Sequence, residues 1–251
     1  MNRIILRPSD LSNCSINKWS EPGSLYNLTD NFRIKHLKEI IRIAQGDELR
    51  VCLINWGNGT CLVESVDSDC VCLRLIKGKY RLNNPLGLLL GLCRPPSMRK
   101  VIEHSTGMGV THFFIVKCAL SEKSYLKSSL LKSERLAEIL DLGIAQDHNV
   151  SRMPEVHIFD TFRDFIIHSD KYLDSFESKL VFNQNASHWM QAKDVSTCLA
   201  IGPERGFTAG ELKQLTDLNF IETKVSESVL RVEHACFYGL AQLEFSRSFN
   251  S

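Results

Sequence analysis

The longest uninterrupted apolar run in this sequence is short, and its length limits the folds that the chain can adopt. The run covers residues 86–93, far fewer than the roughly 20 residues that span a bilayer. A short run without polar alternation is typical of a strand buried on both faces of a parallel sheet. A helix is predicted after it, over residues 97–108. The sequence therefore predicts an α/β protein without a membrane span.

Strands and helices continue to alternate from this run to the C-terminal region. Further strands are predicted at residues 110–116, 179–182 and 198–201. Further helices are predicted at residues 132–142, 210–218 and 232–245. This alternation is the pattern of a parallel sheet with helices on both faces.

The first third of the chain has the pattern of a small β-barrel. Its strand-like segments are residues 48–54, 60–66 and 70–76, with Asn and Gly residues marking the turns. One helix is predicted at residues 34–42, because the apolar residues at 34, 37, 40 and 41 have helical spacing.

The strand pattern breaks near residues 77–79 and 83–85, which we interpret as a linker. We therefore predict two domains, at residues 1–80 and 81–251.

Composition excludes some classes of protein but leaves RNA binding open. A net charge of +1 argues against binding by bulk charge, whereas a local basic face is sufficient for RNA. The nine cysteines are scattered, with no C-x-x-C or H-E-x-x-H pattern, so we expect reduced, mostly buried thiols and no metal. Residues 1–7 lack the apolar run of a signal peptide, which predicts a cytoplasmic protein.

One candidate site follows the strand at residues 198–201. The strand ends at Gly202-Pro203, and Thr208 with Glu211 predicts a capping box at the next helix. Loops at such strand ends form the ligand crevice of α/β sheets. A plain strand–turn–helix connection would have the same pattern, so both interpretations stay open here.

A second candidate site is Leu230-Arg231-Val232-Glu233, at the start of the last predicted helix. Glu233 is favourable near the positive end of a helix dipole, but Arg231 is not unless it binds something anionic. The alternative is that Arg231 and Glu233 form a surface ion pair.

These two segments together carry a resemblance to a known family. Ile201-Gly202-Pro203-Glu204-x-Gly206-Phe207 and Leu230-Arg231-x-Glu233 resemble the paired signature of the family that methylates N3 of a uridine in 16S ribosomal RNA. This family belongs to the SPOUT superfamily of knotted methyltransferases. His36-Leu37-x-x-Ile40-Ile41-Arg42 and Met153-Pro154-Glu155-Val156 resemble other parts of its sequence, so the resemblance spans nearly the whole chain.

The resemblance implies a PUA-like β-barrel that binds RNA, followed by a SPOUT-type parallel sheet with a C-terminal trefoil knot. It also implies a homodimer that acts on 16S rRNA or the small ribosomal subunit, with S-adenosylmethionine as cofactor. The cofactor-binding residues implied by the motif match are Phe182, Asn183, Gln184, Ile201, Gly202, Pro203, Glu204, Gly206, Phe207, Val225, Ser226, Val229 and Leu230.

The same match implies roles for charged residues. Arg231 would stabilise negative charge on the uracil carbonyl oxygens, and Glu233 would accept the N3 proton or orient Arg231. The cations expected to contact RNA are Arg3, Arg7, Lys35, Lys38, Arg42, Arg94 and Arg99.

The chain departs from the family pattern at several positions. Arg205 replaces a glycine, so either that position needs no positive φ and the side chain reaches RNA or a partner subunit, or the backbone is strained there. Val225-Ser226-Glu227-Ser228 replaces a Leu-Gly-Pro-Arg turn. Gly107-Met108-Gly109 replaces Glu-Leu-Gly. The Gln-x-x-Arg element of the family is matched at residues 146–150 only by its Gln.

These departures leave an alternative function open, a non-catalytic or retargeted RNA-binding or ribosome-assembly protein on the same scaffold. A generic nucleotide-binding enzyme is disfavoured, because the sequence contains neither G-x-G-x-x-G nor a P-loop.

Overall fold

The computed structural model describes residues 3–13, 18–81, 84–147, 150–191 and 193–249. Its contacts divide the chain into two compact units. The first consists of the described residues within Met1–Asn83 and Ile144–Met153, and the second of those within Asn84–Gly143 and Pro154–Ser251. The sequence pattern had placed residues 144–153 in the second domain, whereas they pack with the first unit.

The first unit is built on a five-stranded sheet with the order β1-β3-β4-β5-β2. Its strands are β1 (Ile4–Leu6), β2 (Leu25–Leu28), β3 (Glu48–Leu53), β4 (Gly57–Val66) and β5 (Val71–Tyr80). All pairs are antiparallel except β1 with β3. Alternate residues such as Val51, Val63 and Leu73 are buried in one apolar cluster, because successive side chains of a strand point to opposite faces.

The helix of this unit changes its geometry half-way along. Asp30 caps α1 (Asn31–Lys35) by accepting a hydrogen bond from the Arg33 N–H, and a π-helical turn follows at His36–Ile41. The helix prediction is confirmed, but its apolar face is not, since Ile40 is 70% exposed. Ile40 lies within the π turn, whose wider spacing departs from the α-helical period on which the predicted apolar face rested.

The linker predicted at residues 77–79 is wrong. These residues belong to β5, whose pairing with β4 runs from Tyr80 opposite Gly57 to Val71 opposite Val66. Pairing with β4 supplies backbone hydrogen bonds that the Lys-Gly-Lys sequence does not predict. Asn83, also assigned to the linker, lies outside the described residues.

The second unit contains a six-stranded, fully parallel sheet with the order β11-β9-β10-β6-β7-β8. Its strands are β6 (Leu86–Gly91), β7 (His112–Val116), β8 (Glu155–Phe159), β9 (Ser178–Phe182), β10 (Thr197–Ile201) and β11 (Ile221–Thr223). The remaining helices are α2 (Pro95–Gly107), α3 (Ser133–Gln146), α4 (Phe162–Ile167), α5 (Ser169–Leu173), α6 (Ala209–Asp217) and α7 (Val232–Phe249). The parallel α/β fold is confirmed, whereas β8, β11, α4 and α5 were not predicted.

Helices cover both faces of this sheet, as predicted. Ala200 of β10 packs in one cluster with Leu215 of α6. Leu199 points to the opposite face, where a methyl group on Gly239 of α7 would come within 3.3 Å of its Cδ1. Every residue of β10 is buried, which explains why its apolar run lacks alternation.

Parallel pairing brings several loops to one edge of the sheet. Phe182 at the end of β9 pairs with Thr223 at the end of β11, and Ile201 at the end of β10 pairs with Leu90 of β6. The segments that leave these strands therefore start from the same edge.

Among the described residues, no helix is long and apolar enough to cross a membrane. The described cysteines are free thiols, and most of them are buried. No group of three or more His, Cys, Asp or Glu residues in the described part of the chain is arranged to hold a metal ion.

Candidate functional site

A cavity of about 840 Å³ lies within the second unit, at the edge where β9, β10 and β11 end. Its walls come from the three segments after these strands and from the first turns of α2 and α7. Cavities of this size hold small organic ligands in other proteins.

The structure brings the two candidate sites of the sequence together at this cavity. Arg231 and Glu233 both line it, as does Arg94. The predicted cofactor residues that line it are Phe182, Asn183, Gln184, Ile201, Gly202, Pro203, Glu204, Gly206, Phe207, Val225, Ser226, Val229 and Leu230. Residues as far apart in sequence as Arg94 and Glu233 thus line one cavity.

The loop after β10 is compact because of two glycines. A methyl group on Gly202 would lie 2.8 Å from the Gly206 carbonyl carbon and the Phe207 nitrogen. The Gly206 N–H donates to the Pro203 carbonyl at 2.8 Å, and Gly206 has a φ of 72°. Arg205 is exposed and does not have a positive φ, so the missing family glycine causes no backbone strain.

Two glutamates hold this loop in place. Glu204 Oε1 accepts a hydrogen bond of 2.8 Å from the N–H of Arg94, the N-cap residue of α2. The predicted capping box is confirmed, because the Glu211 N–H donates to Thr208 Oγ1 and the Thr208 N–H donates to Glu211 Oε2. Glu211 Oε1 also accepts from the Ala119 N–H at 2.7 Å.

Asn183 links the segment after β9 to β11. Its N–H donates to the Thr223 carbonyl at 3.0 Å, and its Nδ2 donates to Glu222 Oε2 at 2.6 Å. Val225 is fixed from the other side, since its carbonyl accepts from Gln242 Nε2 of α7 at 3.2 Å. These bonds hold backbone groups at the cavity wall in defined positions.

Arg231 lies directly before α7 and occupies its N-cap position. Its carbonyl accepts the first helical hydrogen bond, from the Ala235 N–H at 2.9 Å. Its side chain is exposed and makes no ion pair or hydrogen bond with any residue that the structure describes. A free guanidinium group therefore lies at the rim of the cavity.

Glu233 has a different environment, since it is only 9% exposed. Its pKa is lowered by a hydrogen bond from its own backbone N–H, with further contributions from the Ser97 hydroxyl and the nearby His234 and Lys100, against the opposing effect of burial. The alternative of a surface ion pair between Arg231 and Glu233 is therefore wrong.

The cations predicted to contact RNA are in varied environments. Arg3 is 3% exposed and donates to the Ile144 and Val150 carbonyls at 2.6 Å. Its prediction as an RNA contact is wrong, because its guanidinium is buried and bonds these two carbonyls instead. Lys38 donates to the Ser68 carbonyl at 3.0 Å, and Lys35 lies 3.8 Å from Glu39.

The other predicted RNA contacts are more accessible. Arg42 is exposed and ends the π-helical turn with a φ of 60°. Arg7 is half-buried. Arg99 on α2 lies 3.7 Å from Glu103, with about half of its side chain exposed.

Sequence reasoning missed some residues of the cavity wall. Ser97 lines it from α2, and its hydroxyl contributes to the lowered pKa of Glu233, yet nothing in its sequence neighbourhood indicates such a role. Lys224 also lines the cavity, and its position directly before the predicted segment 225–230 was an available signal.

Comparison with known proteins gives consistent matches. A family model described as an RNA methyltransferase domain matches residues 81–244. Ribosomal RNA small subunit methyltransferase E 1 of Borreliella burgdorferi is 24% identical over 208 residues, which cover 81% of this chain and 85% of that protein. Ribosomal RNA small subunit methyltransferase E of Bacillus subtilis is 23% identical over 235 residues, covering 90% of this chain and 91% of that protein.

Solved structures share the fold. The crystal structure of a ribosomal RNA small subunit methyltransferase E from Neisseria gonorrhoeae, bound to S-adenosyl methionine, superposes with a TM-score of 0.75 at 18% identity. The match covers 98% of this chain and 97% of that one.

Proposed function

Because the chain belongs to the RNA methyltransferase domain family, we propose that it transfers a methyl group from S-adenosylmethionine to N3 of a uridine in 16S ribosomal RNA. The observation that carries this proposal is the single cavity lined by every residue that the motif match assigns to the cofactor and to catalysis. The relatives that cover most of the chain are named as small-subunit rRNA methyltransferases.

The cavity has the properties that this cofactor requires. Ile201 and Leu230 provide apolar surface for the adenine ring, and the segments 182–184, 202–207 and 225–230 present backbone donors and acceptors. Glu204 and Asn183 hold these segments through hydrogen bonds, so the binding groups are positioned in advance. When bound, the cofactor supplies an electrophilic methyl group.

The residues of this chain then contribute mainly positioning and charge stabilisation. The free guanidinium of Arg231 faces the growing negative charge on the uracil carbonyl oxygens. Glu233 is a weak base because its pKa is lowered, which disfavours it as the proton acceptor. We therefore assign the N3 proton to solvent water, while the bond from sulfur to the methyl group breaks and S-adenosylhomocysteine leaves. We assign Glu233 a positioning role instead, since it is buried in the first turn of α7, two residues after Arg231.

The finer features of the architecture are also proposals. We propose that the sheet of the first unit is a PUA-like barrel, that domains 1–80 and 81–251 bind RNA and cofactor respectively, with the described residues of Ile144–Met153 belonging to the first, and that the C-terminal part is threaded as a trefoil knot. Support for the knot comes from the strand order, in which β10 lies between β9 and β6 while β11 lies outside β9. A homodimer is supported by exposed apolar residues of α7, Tyr238 and Phe245.

The proposed substrate is 16S rRNA or the small ribosomal subunit, and the proposed location is the cytoplasm. The proposed RNA contacts are Arg7, Lys35, Lys38, Arg42, Arg94 and Arg99.

Two measurements test this function. Calorimetry should show S-adenosylmethionine binding with about one site per chain, and mass spectrometry should show a methylated uridine in 16S rRNA that is lost when the gene is deleted. The departures at residues 225–228 favour a second candidate, a non-catalytic RNA-binding protein. Normal 16S methylation in the deletion strain would support that candidate and contradict the enzyme.

A further inference from the structure

The last part of β5 is an open sheet edge that carries an aromatic residue and two cations. β2 pairs with β5 only from Val71 to Arg74, and the residues from Ile76 to Tyr80 are all exposed. On the other side the residues from Lys77 to Tyr80 pair with the glycine-rich start of β4, and Ile76 lies at a register shift. The edge is therefore accessible along several residues, within the part of the first unit that the structure describes.

Tyr80 and Trp56 form an aromatic pair at this edge. Their ring centroids are 5.9 Å apart with an interplanar angle of 75°, and Tyr80 is 61% exposed. Trp56 packs against the apolar core and lies on the backbone of Gly78, where a methyl group would be 2.9 Å from its ring. The partly buried indole thus supports an exposed phenol ring.

The backbone around this pair is held firmly. The Arg81 N–H donates to the Trp56 carbonyl at 2.9 Å, and Ser151 Oγ donates to the Arg81 carbonyl at 3.0 Å. Tyr80 lies opposite Gly57 in β4, so no side chain from that strand covers its ring. A rigid, exposed ring of this kind suits stacking by a flat ligand.

The charge at the edge is positive. Lys77 and Lys79 are exposed and make no ion pair or hydrogen bond through their side chains with residues that the structure describes. From residue 70 to residue 81 the sequence contains four Lys or Arg residues and no Asp or Glu, and of these Arg74 pairs with Glu64 of β4. Lysines on an open edge also disfavour pairing with a second copy of the same strand, which leaves a polyanion with flat bases as the matching partner.

From these features we propose that the edge from Lys77 to Tyr80 binds single-stranded RNA, with a base stacked on Tyr80 and phosphates contacted by Lys77 and Lys79. Because side chains alternate along a β-strand, Tyr80 projects to one face of the sheet and Lys77 and Lys79 project to the other. An RNA strand that runs along the open edge can contact both faces. Aromatic stacking combined with cations is the common mode of single-strand recognition. The inference rests on the proposed function for its biological role, since it adds a contact surface for the same rRNA substrate.

The test uses the full chain and a fluorescein-labelled oligouridine of about 12 nucleotides, within the range that such surfaces bind. Tyr80→Ala should weaken binding about 5- to 140-fold, as expected for the loss of one stacked base, whereas Tyr80→Phe should stay within about twofold. The double variant Lys77→Gln/Lys79→Gln should reduce the salt slope by about 1.4, from two lost phosphate contacts on a single strand.

Ile167→Ala is the control, because it removes a 65% exposed large apolar side chain from α4, an element to which no RNA contact is assigned, and should leave RNA affinity unchanged. Affinity of Tyr80→Ala equal to wild type, an equal loss in Ile167→Ala, or an unchanged salt slope would each overturn the proposal. So would a change in dimerisation, measured by light scattering, without a change in RNA affinity. S-adenosylmethionine calorimetry on the same samples tests the proposed function separately, because the edge lies outside the cavity.

Discussion

Replacing Arg231 by alanine should separate a functional arginine from a structural one. The side chain makes no ion pair or hydrogen bond among the described residues and lies at the N-terminus of α7. A cation there costs about 0.3–1 kcal/mol through the helix dipole. Arg231→Ala should therefore leave the free energy of unfolding unchanged or raise it by up to about 1 kcal/mol, as measured by urea denaturation.

The turnover of Arg231→Ala should fall, although its stability does not. If the guanidinium stabilises charge on the uracil oxygens, its loss should lower single-turnover methylation about 100- to 1,000-fold, the range for one such donor. Affinity for S-adenosylmethionine should barely change, because the other walls of the cavity provide the binding groups. Arg231→Lys should rescue only part of the rate, since an ammonium group cannot reproduce the planar fork of arginine.

The matched control is Lys213→Ala on α6, an exposed lysine 3.1 Å from Asp217 and not part of the cavity wall. It should retain full turnover. Full activity in Arg231→Ala would refute the catalytic assignment, and equal losses in both variants would point to a general electrostatic effect on RNA binding.

Three other substitutions test the loop after β10, the proposed RNA contacts and the effect of pH on stability. Gly202→Val should abolish S-adenosylmethionine binding in calorimetry with unchanged circular dichroism, because a Cβ collides with the backbone of Gly206 and Phe207; undiminished binding would remove this loop from the site. Arg42→Gln should flatten the salt dependence of RNA binding by about 0.7 and leave cofactor affinity alone; an identical slope would place the contact elsewhere. Glu233 has a lowered folded pKa, so its contribution to stability is present above the unfolded value of about 4.3 and is lost as pH falls through the folded value. Denaturation at a series of pH values should thus show a steeper acid loss in wild type than in Glu233→Gln, and parallel curves would contradict this.

The strands and helices differed in how well the sequence predicted them. The parallel sheet was predictable because strands such as β6 and β10 are buried throughout and consist mainly of apolar residues. The strand β11 has three residues and α5 has five, lengths that carry too little periodicity to be recognised. The linker at residues 77–79 was misjudged because Lys and Gly have low strand propensity, and only pairing with β4 shows that they form a strand.

Local sequence determined the capping box of Thr208 and Glu211, the turn at Gly202-Pro203 and the start of α7, because each depends on residues a few positions apart. The motif resemblance added the identity of the cavity residues. Tertiary structure alone decided that Arg3 is buried, that Ser97 and Glu233 line one cavity and that Tyr80 packs against Trp56 at an open edge. Each of these joins residues from different elements, and no local pattern records which distant side chain or carbonyl a residue will meet.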